Sequence, residues 1–257
     1  MRSLLMLFVR YRVGGQERMG ILRDGVVTQI CGSYFGHFVE TDRRWALEEV
    51  TLLAPSQPSK VVVVGLMYRA HIEEMGWEPP EEPLISMKPS TAVIGPDEPI
   101  RLPPKVGRVD YEGEVGFVVG RRMRDVAPEE VADHLLGVTC LNDVTARDLQ
   151  SKDGQWTRAK GFDTFCPIGP AVVTGLDLNN LAIRTEVNGE VRQASSTRDF
   201  IRPAEELVSF ISHVMTLLPG DVIATGTPAG IGPLEPGDEV AVTVEGVGTL
   251  RNPVVAA

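Results

Sequence analysis

The run Val109-Asp110-Tyr111-Glu112-Gly113-Glu114-Val115 constrains this chain more than any other. Side chains along a β-strand alternate faces, so a strand here turns Asp110, Glu112 and Glu114 the same way. The run continues as Phe117-Val118-Val119, which belongs in a core. Three carboxylates on one face of such a strand repel one another and lose hydration. The fold must either leave that face in water, as sheet edges do, or bring positive charge to it. Carboxylate oxygens suit the hard ions Mg²⁺, Ca²⁺ and Mn²⁺. On these residues alone both readings stand open.

The remaining chain reads as short strands between turn signals. Residues 4–11 form a first strand, and residues 19–22 and 26–30 pair across Asp24-Gly25, a hairpin signal. A short helix is expected over 41–49. Pro55 and Pro58 mark a linker, with a domain boundary near Ser59. A small N-terminal β unit over 1–59 and a main domain over 60–257 follow. The main domain opens with the buried-strand run Val61-Val62-Val63-Val64. A short helix is expected over 71–77 and a mobile, proline-rich loop over 78–83. Strands follow at 84–88, 92–94, 108–119 and 138–142. Pro128 starts a helix that ends at Gly137. Asn188-Gly189 closes a hairpin, and 203–218 carries apolar residues at helical spacing until Pro219-Gly220. The last strands are 222–225, 240–244 and 248–254. Many strands and two firm helices predict an α+β, mostly β fold of packed or rolled sheets, not a doubly wound one.

At 43% hydrophobic, 257 residues can bury a sizeable core. A net charge of −10 argues against nucleic acid and anionic membranes as partners. Residues 1–9 are apolar, but Arg10 and Arg12 follow and no small-residue cleavage site appears. The segment therefore reads as a strand, not a signal peptide, and a cytoplasmic location is expected. Cys31, Cys140 and Cys166 are far apart, which excludes a zinc cluster by spacing; the last two read as packed thiols.

Several residues could carry chemistry. Asp143 ends an apolar strand, where it either caps a helix or joins a site. Lys160 precedes Gly161 and Phe162, and is either drawn inward to an anion or exposed with its stem packed. His71 and Glu74 share a helical face, either as a general base with its orienting carboxylate or as a surface pair. His134 and His213 read as structural. The glycine-rich run 225–232 follows a strand, where its amides could bind an anion.

These pieces share an order and wording. VVVVGLMYRAHIEE, KPSTAVIGP, VDYEGEVGFVVG, LNDVTARDLQ, RAKGFDTFCPIGP, TGTPAGIGPLEPGDEV and VEGVGTLRNPV run in sequence over residues 60–254. The chain thereby resembles the fumarylacetoacetate hydrolase family, in its bacterial acylpyruvase and 2-hydroxyhepta-2,4-diene-1,7-dioate isomerase-like branch. The resemblance implies a rolled mixed β-sandwich, usually homodimeric, binding Mg²⁺ or Mn²⁺ through Glu112, Glu114 and Asp143. It implies a His71–Glu74 dyad on a segment closing over substrate, with Lys160 assisting. Tyr68, Arg147, Gln150, Gly226 and Thr227 are the expected substrate-contacting set. Asp110 is not a ligand in the family.

One departure stands out: most bacterial relatives read GLNY where this chain has Gly65-Leu66-Met67-Tyr68. Met67 removes an amide that could position water or substrate. The implied activity is C–C bond hydrolysis of an acylpyruvate-type diketo acid, such as fumarylpyruvate or a fumarylacetoacetate-like compound of aromatic catabolism. Decarboxylation or isomerisation of oxaloacetate-like and 2-hydroxydiene dicarboxylic acids is the alternative. A 2-oxo-acid-binding protein without catalysis is the third reading.

Overall fold

The structure, a computed structural model, describes residues 5–257. The start of the first predicted strand, at Leu4, lies outside them. A twelve-stranded sheet dominates. In spatial order it runs Phe38–Ala46, Val26–Gly32, Gln16–Arg23, Leu7–Val13, Cys166–Val173, Leu135–Asn142, Gly113–Val119, Val222–Ala224, Lys60–Gly65 and Leu84–Pro89. Thr51–Leu53 and Val93–Ile94 pair onto Leu7–Val13 and Cys166–Val173. A five-stranded sheet holds Glu190–Ser196, Ala182–Val187, Glu239–Val244, Gly248–Ala256 and Ile100–Leu102. A small third sheet joins Thr145–Ala146, Val109–Tyr111 and Gly232–Pro233. Among the described strands three pairings are parallel and the rest antiparallel. The expected α+β, mostly β architecture of rolled mixed sheets is what forms.

Alternation explains how the two larger sheets pack. Val115, Phe117 and Val119 turn toward Ile183, Val242, Val244 and Leu250 of the five-stranded sheet. Val118 turns the opposite way, into a second cluster with Phe8, Ile21, Val61 and Val63. Val62 and Val64 meet the first cluster, so the run 61–64 is buried on both faces and needs no polar alternation. The helix Ala204–Val214 closes the first cluster with Leu207, Val208 and Ile211. Each such buried side chain is worth about 1.5–3 kcal/mol.

Local signals hold where turns decide. Asp24 (φ 49°) and Gly25 (φ 77°) make the first hairpin, and Asn188 (φ 55°) and Gly189 (φ 79°) the later one. The helix expected over 41–49 is instead the strand Phe38–Ala46 followed by a single 3₁₀ turn, Leu47–Glu49. Pairing with Val26–Gly32 outweighs helix preference there. Over 128–137, a 3₁₀ turn and the helix Val131–His134 stop three residues early, because Leu135 already pairs with Val119. The helix at 203–218 likewise ends at Val214; Leu217 bridges to Met123 in extended form. Residues 108–119 are two strands, not one, broken at Glu112.

Candidate metal centre

The break at Glu112 builds the site. Val109–Tyr111 pairs in the small sheet and Gly113–Val119 in the large one, so Glu112 sits where the chain passes between them. Its amide donates to Asn142 Oδ1 at 3.0 Å, and its carbonyl accepts from the Asp143 amide at 2.8 Å. Glu112 is thereby locked beside the end of the strand Leu135–Asn142. Gly113 must be glycine: a Cβ there would lie 1.9 Å from Thr185 Oγ1. The result is that Glu112, Glu114 and Asp143 are buried with carboxylate oxygens within 4.8 Å of one another. Asp143 does not cap a helix; the residue before helix Arg147–Asp153 is Ala146.

Cations answer the carboxylates. Lys160, buried to 2% exposure, donates from Nζ to Glu112 Oε2 at 2.8 Å and Asp143 Oδ2 at 2.5 Å. It is drawn inward and is not exposed with its stem packed. Burial opposes its charge, but Asp143, Glu112 and Glu114 outweigh that and raise its pKa. Arg147 donates to Asp110 Oδ2 (3.0 Å), to Gln150 Oε1 (2.6 Å) and to Glu112 Oε1. Asp110 is held by Arg147 and Arg108, which removes it from the ligand set. Burial would raise the Glu112 pKa, yet Lys160 and Arg147 hold it well below the usual carboxylate range. For Glu114, burial and then the charges of Asp143 and Glu112 push the pKa well up. Its Oε2 accepts the Gly226 amide at 2.8 Å, so the anion received by the glycine-rich run is the protein's own.

One carboxylate oxygen of the cluster has an ion-pair partner but no hydrogen bond. Lys88 Nζ lies 2.7 Å from Asp143 Oδ1. All three Lys88 protons go elsewhere, to the carbonyls of Val144, Lys160 and Phe165 at 2.7–2.9 Å. Asp143 Oδ1 is therefore buried without a hydrogen-bond donor among the described residues. A carboxylate oxygen that takes no hydrogen bond, beside two further carboxylates, belongs to a hard, all-oxygen donor set. It fits Mg²⁺ or Mn²⁺, and a cation there would offset the repulsion that raises Glu114.

His71 lines the same cavity as Glu112 and Glu114. Helix Arg69–Met75 ends in left-handed Gly76 (φ 67°) and places His71 Nδ1 2.8 Å from Glu74 Oε2. The second oxygen, Glu74 Oε1, accepts the Gly230 amide at 2.9 Å. The carboxylate fixes the proton on Nδ1 and leaves Nε2 as the basic nitrogen. His71, Glu112, Glu114, Arg147, Gln150, Lys160 and Thr227 line one cavity of about 30 Å³. Thr227 bonds through its hydroxyl to Gly113 O and Gln193 Nε2.

Tyr68 and Gly226 stand apart from that cavity. The Tyr68 ring packs edge-on against Phe200 and its hydroxyl is buried without a partner among the described residues. Met67 is buried and packs against Gly226, and its carbonyl accepts the Ile201 amide at 2.9 Å. Leu66 reaches the cavity wall in a left-handed conformation (φ 60°) rare for a non-glycine residue. Lys88 and Asn142 went unrecognised in the sequence. Lys88 lies in the motif KPSTAVIGP, but nothing local distinguishes it from a surface lysine. Cys140 and Cys166 are packed thiols whose pKa burial lifts to about 12.

Comparison with known proteins places the chain in a family. The family profile described as "Fumarylacetoacetate (FAA) hydrolase C-terminal" matches residues 60–255, and "Rv2993c-like, N-terminal" matches 6–55. The chain belongs to the fumarylacetoacetate hydrolase family. Protein Rv2993c of Mycobacterium tuberculosis is 54% identical over 230 residues, covering 88% of this chain and 87% of that protein. Oxaloacetate tautomerase FAHD2A, mitochondrial, of Bos taurus is 44% identical over 220 residues, 80% of this chain and 70% of that protein. The crystal structure of 2-hydroxyhepta-2,4-diene-1,7-dioate isomerase from Mycobacterium marinum superposes with a TM-score of 0.92 at 46% identity, covering 98% of both chains. Maleylpyruvate hydrolase from Sphingobium sp. SYK-6, solved with manganese(II) and pyruvate, gives 0.82 at 28%, covering 98% of this chain and all of that one.

Proposed function

We propose that this protein is a divalent-metal-dependent hydrolase of acylpyruvate-type 2-oxo acids. The observation that carries the reading is one small cavity lined by Glu112, Glu114 and His71, with Asp143 beside the two glutamates and Glu74 bonded to the imidazole. Glu112, Glu114 and Asp143 would hold Mg²⁺ or Mn²⁺. Bound there, the ion supplies Lewis-acid polarisation of the substrate's 2-oxo and carboxylate oxygens.

The chain's own residues do the rest. His71 Nε2 takes a proton from water while Glu74 holds the imidazolium that forms. The water oxygen adds to the acyl carbonyl, and the bond from that carbon to C3 of the pyruvate unit breaks. The electron pair leaves as the enolate of pyruvate, whose charge Lys160 offsets. The proton on His71 passes to C3, giving pyruvate and the free acid. Glu112→Ala or His71→Ala should lower pyruvate release at least a hundredfold, the usual scale for a lost general base. Unchanged release from either variant overturns the assignment.

A second reading comes from the relative named oxaloacetate tautomerase. Keto–enol exchange needs only a proton moved between C3 and the 2-oxygen and no attacking water, and decarboxylation of an oxaloacetate-like acid needs none either. Chelator-treated protein restored with Mg²⁺ separates these readings by NMR, with an acylpyruvate and oxaloacetate followed side by side. Pyruvate plus free acid marks the hydrolase. Accelerated enol exchange or pyruvate plus carbon dioxide, from oxaloacetate alone, marks the others.

A further inference from the structure

A larger cavity of about 680 Å³ adjoins the metal centre and shares Met75, Trp77, Gln150 and Trp156 with it. Its volume falls within the roughly 300–1,000 Å³ of small-molecule sites. Met75, Trp77, Leu84, Ile85, Trp156 and Met215 supply its apolar wall. No Lys, Arg or His contributes to it, and its polar residues are neutral. Arg147 and Lys160 beside it are committed, Arg147 to Asp110, Glu112 and Gln150 and Lys160 to Glu112 and Asp143. A second carboxylate placed here would lose hydration with no cationic side chain in the cavity wall to answer it. The Trp156 ring packs closely over Gly65, where a Cβ would lie 2.9 Å from it.

We infer that the substrate carries an uncharged, apolar acyl group beyond its reacting carbonyl, seated in this cavity, and not a second carboxylate. The inference rests on the proposed 2-oxo acid chemistry, because the head of the molecule must lie at the carboxylate cluster. Gln150 sits at the junction. It lines both cavities, and its carbonyl oxygen accepts from Arg147 at 2.6 Å.

The test separates the pocket from the reaction. Binding of N-methyl-, N-butyl- and N-hexyloxamate to Mn²⁺-loaded protein is measured by calorimetry. Affinity should rise with each added methylene, by up to about fourfold, and by at least tenfold from methyl to hexyl. Equal affinities overturn the inference. In turnover, hexanoylpyruvate should exceed both acetylpyruvate and fumarylpyruvate in kcat/KM by at least tenfold; a preference for fumarylpyruvate overturns it. Chain-dependent oxamate binding without hydrolysis of any acylpyruvate would overturn the hydrolase reading and uphold the pocket. Leu84→Arg, at the exposed start of an edge strand, adds a cation to the wall and should reverse the preference toward fumarylpyruvate. An unaltered preference in a folded, oxamate-binding variant counts against the pocket.

Discussion

Lys88 shows how much of this site depends on a residue that touches no solvent. Its ammonium is saturated by three backbone carbonyls from three segments: the one after Asp143, the end of the helix bearing Lys160, and Phe165. Replacing it leaves those carbonyls and Asp143 without their charge partner. Lys88→Met should cost about 3–5 kcal/mol, the scale of a broken buried ion pair, read as a lowered midpoint in urea. Lys160→Met should cost less stability and more activity, because Lys160 lines the small cavity and pairs there with Glu112 and Asp143. Asp221 is a second buried charge, bonded to the Ser59, Lys60 and Leu218 amides and to Lys60 Nζ. Burial raises its pKa, but those donors prevail and hold it below its ordinary value. Its stabilisation is therefore full above roughly pH 4 and lost as pH falls through the lowered value. Asp221→Asn should flatten the acid limb of the stability profile, measured as urea midpoints from pH 6 to 2.

The break in the acidic run is the decisive element. A single uninterrupted strand would give the alternation that the sequence suggests, with Asp110, Glu112 and Glu114 in one row. Splitting it at Glu112 assigns Asp110 to a bond with Arg147 and brings Glu112 and Glu114 to Asp143. Gly113 permits the split by clearing Thr185. Gly113→Ala should abolish metal binding, measured with Mn²⁺ by electron paramagnetic resonance, at a stability cost of about 1–3 kcal/mol from overpacking. What was legible in sequence follows the same division. The hairpins at Asp24-Gly25 and Asn188-Gly189 were readable because local φ angles decide them. The His71–Glu74 pair was readable because it lies within one helical turn. Residues 41–49 were not, because their strand exists only through a partner strand. The Lys88 and Arg147 contacts span tens of residues, and no local pattern encodes them.

At the scale of the molecule, residues 5–55 are stitched into the whole. Leu7 and Phe8 extend the large sheet against Val173 and Val172, and Val9 and Tyr11 enter the core shared with the main domain. A chain starting at residue 60 would uncover that core and the edge of Cys166–Val173. It should accumulate as aggregate at 37 °C, checked by size-exclusion chromatography against the full chain. No described helix is long and apolar enough to cross a membrane.

Glu74 divides its two oxygens between His71 and the Gly230 amide. The same carboxylate thus orients the imidazole and ties its helix to the loop that carries Gly230. One side chain is a shared pin: truncating Glu74 would release the ring and unfasten the helix from the loop in a single cut.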